Sequence, residues 1–156
     1  MIEVFALASS AFTHGGSIPE IYTGDGADIS PPLEWTAPPA GTASLVLICE
    51  DPDAPVGNWI HWVVFDIPPD STGLPEGVPP GTRYGASALQ GLNSWGSCGY
   101  GGPAPPSGTH RYFFRLYALD CMLRIGARST AEMVRRAMEG HVLASAELMG
   151  TYTRNR

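Results

Sequence analysis

The chain has 156 residues, with 19 Gly, 15 Pro and a formal net charge of −6. That Gly/Pro load approaches the range of disordered chains, but 44% apolar residues and a modest charge exclude disorder, and the length suits one domain over residues 1–156 with a real core. All nine basic residues are Arg, which excludes a P-loop, Schiff-base or general-base lysine, and a pI near 5.0 without a basic cluster excludes a nucleic-acid footprint.

In chain order, strands are expected at Glu3–Ala8, Ser44–Glu50, Ile60–Ile67 and His110–Leu119, with a shorter extended piece at Leu33–Trp35. Each is rich in β-branched, aromatic or leucine side chains and bounded by Pro or Gly. Ser44–Glu50 is nearly continuous apolar, the pattern of a strand buried on both faces. Residues 91–108 hold nine Gly or Pro in eighteen positions and read as ordered loop. Helical signals are confined to the end. Ser129-Thr130-Ala131-Glu132 is a capping-box pattern, with Arg135-Arg136 on the solvated side of its helix. His141–Met149, ending at Gly150, carries a second helical stripe. Strands and helices do not alternate, so a doubly wound sheet is not expected. The prediction is a mostly β, sandwich-like domain with two short C-terminal helices.

No apolar run nears the ~18 residues that span a bilayer. Three cysteines without a CxxC pair suit a reducing compartment, and Glu3 stands where a secretory signal would carry a base. The expectation is a cytoplasmic protein without a transmembrane segment.

Three segments carry candidate chemistry. Asp51-Pro52-Asp53-Ala54-Pro55 places two carboxylates in a rigid turn, either aimed at a site or accepting backbone N–H groups as Asx turns do. In Trp59–Ile67, strict alternation puts His61 with Val63, Phe65 and Ile67, and Ile60, Trp62 and Val64 on the other face. A histidine among apolar neighbours needs a polar partner, and a backbone carbonyl is the simplest one. In Gly108–Leu119, His110 and Tyr112 share a face where the strand leaves the Gly/Pro-rich loop, while Arg111 and Arg115 read as an exposed pair over Phe113. Together these residues can hold a small anion: protonated His and Tyr–OH donate, and backbone N–H groups add donors. No G-x-S-x-G elbow is present and Ser94 and Ser107 lack an adjacent base, so the reading is of a binding protein without catalytic residues or cofactor. Cys98 is read as an inert thiol. An enzyme built on a metal held by His61, His110 and Asp51 or Asp53 is a second reading. A third is a protease-inhibitor-like protein acting through the loops of residues 68–85.

Four blocks resemble the phosphatidylethanolamine-binding protein (PEBP) family, in its bacterial and archaeal Raf-kinase-inhibitor-like branch: Asp51–Pro55, Trp59–Val64, Gly99–Pro106 and Gly108–Asp120. The stretch from Gly140 to Tyr152 is similar to that branch's C-terminal helix. The resemblance implies a β-sandwich of antiparallel sheets with an anion pocket for phosphate or a phosphorylated headgroup. It implies that Asp51, His61 and His110 line the pocket with Tyr112 nearby, that Pro105, Pro106 and Gly108 form its rim, and that Asp53 braces the loops. It also implies a regulated kinase or protease partner, and suggests a homodimer. Ala104 stands where many bacterial members carry Cys, so a redox role there is absent. Thr153–Arg156 shows no counterpart of the pocket-closing residues of eukaryotic members.

Overall fold

A computed structural model describes residues 4–154. Its centre is β3 (Ser44–Asp51), buried at every position, as its unbroken apolar run requires. Hydrogen bonding runs outward from it to β4 (Trp59–Ile67) and β8 (Gly108–Leu119). Beyond β4 lie β7 (Ala88–Gln90) and β6 (Arg83–Tyr84), and beyond β8 lies β9 (Val142–Arg154). The result is a six-stranded sheet in the order β6-β7-β4-β3-β8-β9, antiparallel throughout. A small antiparallel sheet, β1 (Leu7–Ala8), β2 (Leu33–Trp35) and β5 (Gly73–Leu74), covers one face. Glu3, the start of the expected first strand, lies outside the described residues.

Alternation along β3 divides the core in two. Leu45, Leu47 and Cys49 pack with Trp62, Val64, Phe114, Leu116 and the small sheet. Val46 and Ile48 pack with Val63, Phe65 and helix α1 (Ala131–Met138) on the other side. The helix begins one residue later than the capping-box pattern places it: Thr130 Oγ1 accepts from Met133 N at 3.2 Å, while Ser129 donates to Gly126 O. Gly140 at φ +79° ends the turn after it.

The second expected helix is not formed. Val142–Arg154 is a strand paired with β8 along its whole length, from Leu119↔Val142 to Gly108↔Arg154. Its Ala, Leu, Glu and Met residues favour helix intrinsically, but Ala144, Ala146, Leu148 and Tyr152, two or four residues apart, meet the core. Pairing with a twelve-residue neighbour overrides the local preference. At Gly150, opposite Tyr112, a Cβ would come within 2.6 Å of Ile18 and 2.8 Å of Phe12.

Arg135 also departs from expectation. It pairs with the buried carboxylate of Glu50, which Arg115 and Asn58 also engage. Burial alone would raise the Glu50 pKa, but the Arg135 and Asn58 hydrogen bonds and the two guanidinium charges hold it below the ordinary value. Arg111 and Arg115 do lie over the Phe113 ring, at 5.5 and 4.6 Å.

Overpacking a filled core costs about 1–3 kcal/mol, so Gly150→Ala is expected to lower stability by about that amount in chemical denaturation, with no change in the denaturant slope. An unchanged midpoint would show that the contact between β9 and the Phe12–Ile18 segment is slack.

Candidate functional site

At one end of the sheet, a pocket of about 210 Å³ is lined by Asp51, His61, His110 and Tyr112, with Pro105 and Pro106 at its rim. This is smaller than the roughly 300–1,000 Å³ of sites for drug-sized ligands. Asp51 ends β3 and faces the same side as Cys49. His110 and Tyr112 arrive by simple alternation on β8.

His61 does not arrive by alternation. Cys49 pairs with Trp62 and Glu50 pairs with Ile60, so His61 is the extra residue of a β-bulge. The bulge puts His61 on the side of Trp62 and Val64, into the pocket, and away from Val63 and Phe65, whose face packs on α1. Strict alternation would have aimed it at the helix. Bulges commonly re-aim a side chain beside a binding site.

Each imidazole is held by its Nδ1. His61 Nδ1 lies 2.6 Å from Gly101 O; a carbonyl only accepts, so this nitrogen carries the proton. Gly101 N–H donates in return to His61 O at 3.0 Å. The glycine is required, because a Cβ would lie 2.4 Å from the Trp95 ring. His110 Nδ1 lies 2.6 Å from Asp51 Oδ2. The other Asp51 oxygen accepts from Asp53 N at 2.7 Å, so Asp51 makes the Asx turn and also faces the site. Burial lowers the His61 pKa below its usual value, against the raising effects of Gly101 O and the Asp51 charge.

Tyr112 is 1% exposed, and its hydroxyl is buried without a hydrogen-bond partner among the described residues. Its ring meets His61 edge-on at 5.1 Å and stacks with His110 at 6.4 Å. Burial first, and then the Asp51 charge, push the phenol pKa well above the ordinary range. It therefore stays protonated, a donor without an acceptor among the described residues. Sequence reasoning missed the aromatic wall: Trp95 stands edge-on to both His61, at 5.2 Å, and Trp59, at 5.4 Å. Trp95 is carried on a loop shaped by Asn93, whose Oδ1 accepts from Trp95 N and Ser97 N and whose Nδ2 donates to Gly99 O.

Asp53 and Gly108 do not line the pocket. Asp53 braces it from outside: its carboxylate takes Arg111 Nε at 2.9 Å, Nη2 at 2.8 Å and the Arg111 backbone N–H at 2.9 Å. Those bonds hold the Asp53 pKa down to about 2. Gly108, at φ +71°, opens β8 opposite Arg154. Near the C-terminus, Arg154 contacts Pro105 O of the rim at 3.5 Å and is anchored by Asp25. Neither Asp51 nor Asp53 forms a compact ligand set with His61 and His110. Among the described residues, only Asp120, Cys121 and His141 bring three possible ligand atoms within 4.8 Å of one another. The alternative set of His61, His110 and Asp51 or Asp53 does not come that close.

Residues 8–153 match the family model for phosphatidylethanolamine-binding protein. The chain belongs to the phosphatidylethanolamine-binding protein family. Within PEBP relatives, it is 55% identical over 148 residues to a UPF0098 protein of Methanothermobacter thermautotrophicus, covering 95% of this chain and 98% of that protein. The PEBP homologue CT736 from Chlamydia trachomatis superposes with a TM-score of 0.90 at 43% identity, over 99% of this chain and 100% of that one. YbcL of E. coli, a member of the mammalian PEBP family, gives 0.90 at 31% identity, over 97% and 99%. Among the described residues, no helix of this PEBP protein is long and apolar enough to cross a membrane.

Two outcomes follow from the geometry. Because an unpaired buried polar group costs about 1–3 kcal/mol, Tyr112→Phe should leave stability unchanged or raise it by up to that amount; a clear loss on denaturation would mean that the hydroxyl has a structural partner. The Asp53 carboxylate, with its pKa depressed in the folded state, contributes stability above the unfolded carboxyl pKa of about 4 and loses it as pH falls to about 2. The stability difference between wild type and Asp53→Asn should thus close between about pH 4 and pH 2 in denaturation curves.

Proposed function

We propose that the pocket binds a small oxyanion, phosphate or a phosphorylated headgroup, and that binding serves regulation or inhibition of a kinase or protease partner. The observation that carries this reading is the buried, unpartnered Tyr112 hydroxyl in a pocket whose two histidines are each fixed by Nδ1. Buried polar groups in folded proteins are nearly always hydrogen-bonded, and an oxyanion supplies the acceptor that Tyr112 lacks. Family membership supports the same reading. No residue of the site is arranged as an activated nucleophile, so the role assigned is binding.

The charge of the pocket sets the pH dependence. No Arg or Lys lines it, while Asp51 does. With His61 and His110 protonated at Nδ1, each Nε2 is a bare acceptor unless the ring takes a second proton. An anion therefore enters with proton uptake, either onto an imidazole or retained on its own P–OH. Burial disfavours the charged form of His61 in the free protein, and the bound anion raises its pKa. The extra affinity is complete below the free-state pKa and is lost as pH rises through the bound-state value.

In calorimetry with inorganic phosphate and phosphoethanolamine, binding is expected at pH 6, at least tenfold weaker at pH 8, and accompanied by proton uptake in buffers of different ionisation heat. Tyr112→Phe and His110→Ala should each reduce affinity at pH 6 about tenfold or more, the effect of one hydrogen bond to a charged group. Absence of binding at pH 6, or binding indifferent to both substitutions, overturns the reading.

A further inference from the structure

At the far end of the six-stranded sheet, Asp120 and Cys121 follow β8 directly and His141 precedes β9. Seven strand residues, Phe113 to Leu119, at about 3.3 Å each separate Tyr112 of the pocket from Asp120, so this corner is independent of the anion site. We propose that Asp120, Cys121 and His141 form a binding site for a divalent transition-metal ion of the zinc class, with solvent completing the coordination.

Two observations carry this. First, a carboxylate oxygen, a thiol sulfur and an imidazole nitrogen lie within 4.8 Å of one another. Tetrahedral zinc, with bonds of about 2.0–2.3 Å, needs its ligands about 3.3–3.8 Å apart, so side-chain adjustment of about an ångström closes the set. His141 Nδ1 and Asp120 Oδ1 are already 2.7 Å apart, with both side chains a little under half exposed and free to make that adjustment. Second, the backbone of this corner is held in place. Asp120 N–H donates to His141 O at 3.0 Å, His141 N–H donates to Met138 O at 2.9 Å, and Cys121 O accepts from Ser44 Oγ at 2.6 Å. A shift in pairing between Ala118 and Leu119 inserts one extra β9 residue just before the strand begins to run in register.

The donor set decides the class of metal. Thiolate with imidazole suits zinc and its neighbours, whereas magnesium and calcium take oxygen ligands. On binding, the Cys121 S–H bond breaks, the proton leaves to solvent, and the sulfur bonds to the metal as thiolate. No electron is transferred. The bound ion would tie the end of β8 to the start of β9.

The test is a titration of the full chain with Co²⁺ under reducing conditions, followed by absorption. One equivalent should produce a thiolate-to-cobalt band in the near ultraviolet with intense visible bands of tetrahedral cobalt, and Zn²⁺ should displace it. Cys121→Ser should abolish the near-ultraviolet band, His141→Ala should weaken cobalt binding at least tenfold, and Cys98→Ser should leave both unchanged. A wild-type chain that gives no such band overturns the proposal. So does a band that survives in Cys121→Ser, disappears in Cys98→Ser, or is indifferent to His141→Ala.

Discussion

Strand β3 is buried on both faces, yet it ends in two carboxylates, Glu50 and Asp51. Alternation sends them to opposite sides of the sheet, and neither can stay ionised in the interior without a partner. Glu50 is met by Arg135 from α1 and Arg115 from β8, which ties the helix to its face of the sheet. Asp51 is met by His110 on the other face. Much of the remaining architecture at this end supports that second pairing. The Pro-rich turn points Asp51 inward, Asp53 clamps the turn onto β8 through Arg111, and the bulge in β4 sets His61 beside the pair.

The lack of lysine gives this end of the molecule its chemistry. Among the described residues, the guanidiniums near the pocket are engaged in bracing: Arg111 with Asp53, Arg154 with Asp25 and the Pro105 carbonyl. The pocket floor is left with groups whose charge depends on protons or on nothing at all: two imidazoles, a phenol and one carboxylate. Under the proposed reading, an anion there would be held through hydrogen-bond donors and shared protons. An aromatic wall of Trp59 and Trp95 limits solvent around them. The Gly-rich 91–108 segment serves packing as much as flexibility, since Gly101 is the only residue type that fits beneath Trp95 while its carbonyl orients His61.

Much of this was legible in the residues. The unbroken apolar run at Ser44–Glu50 predicts a doubly buried central strand, because only such a strand can use apolar side chains on both faces. The alternation in Gly108–Leu119 places His110 and Tyr112 together, and the resemblance of four blocks to PEBP proteins points to the fold and to the pocket residues. The misreadings share one cause, a local pattern outvoted by a neighbour. Val142–Arg154 has helix-forming composition and becomes a strand because β8 offers it twelve residues of pairing. Arg135 reads as solvated and is drawn inward by Glu50, a residue far away in sequence.

Composition, apolar patterning and the identity of the polar residues at strand ends determined the fold class, the central strand and the chemical repertoire of the site. These depend on local period and side-chain chemistry, which a sequence carries directly. Only the tertiary structure decided which groups meet. The bulge that turns His61 into the pocket appears in the register between two strands. The unpartnered hydroxyl of Tyr112 is defined by the absence of acceptors around it in space among the described residues. The corner of Asp120, Cys121 and His141 exists because two strand ends are paired. Each depends on a relation between distant segments, and no local period in the chain encodes it.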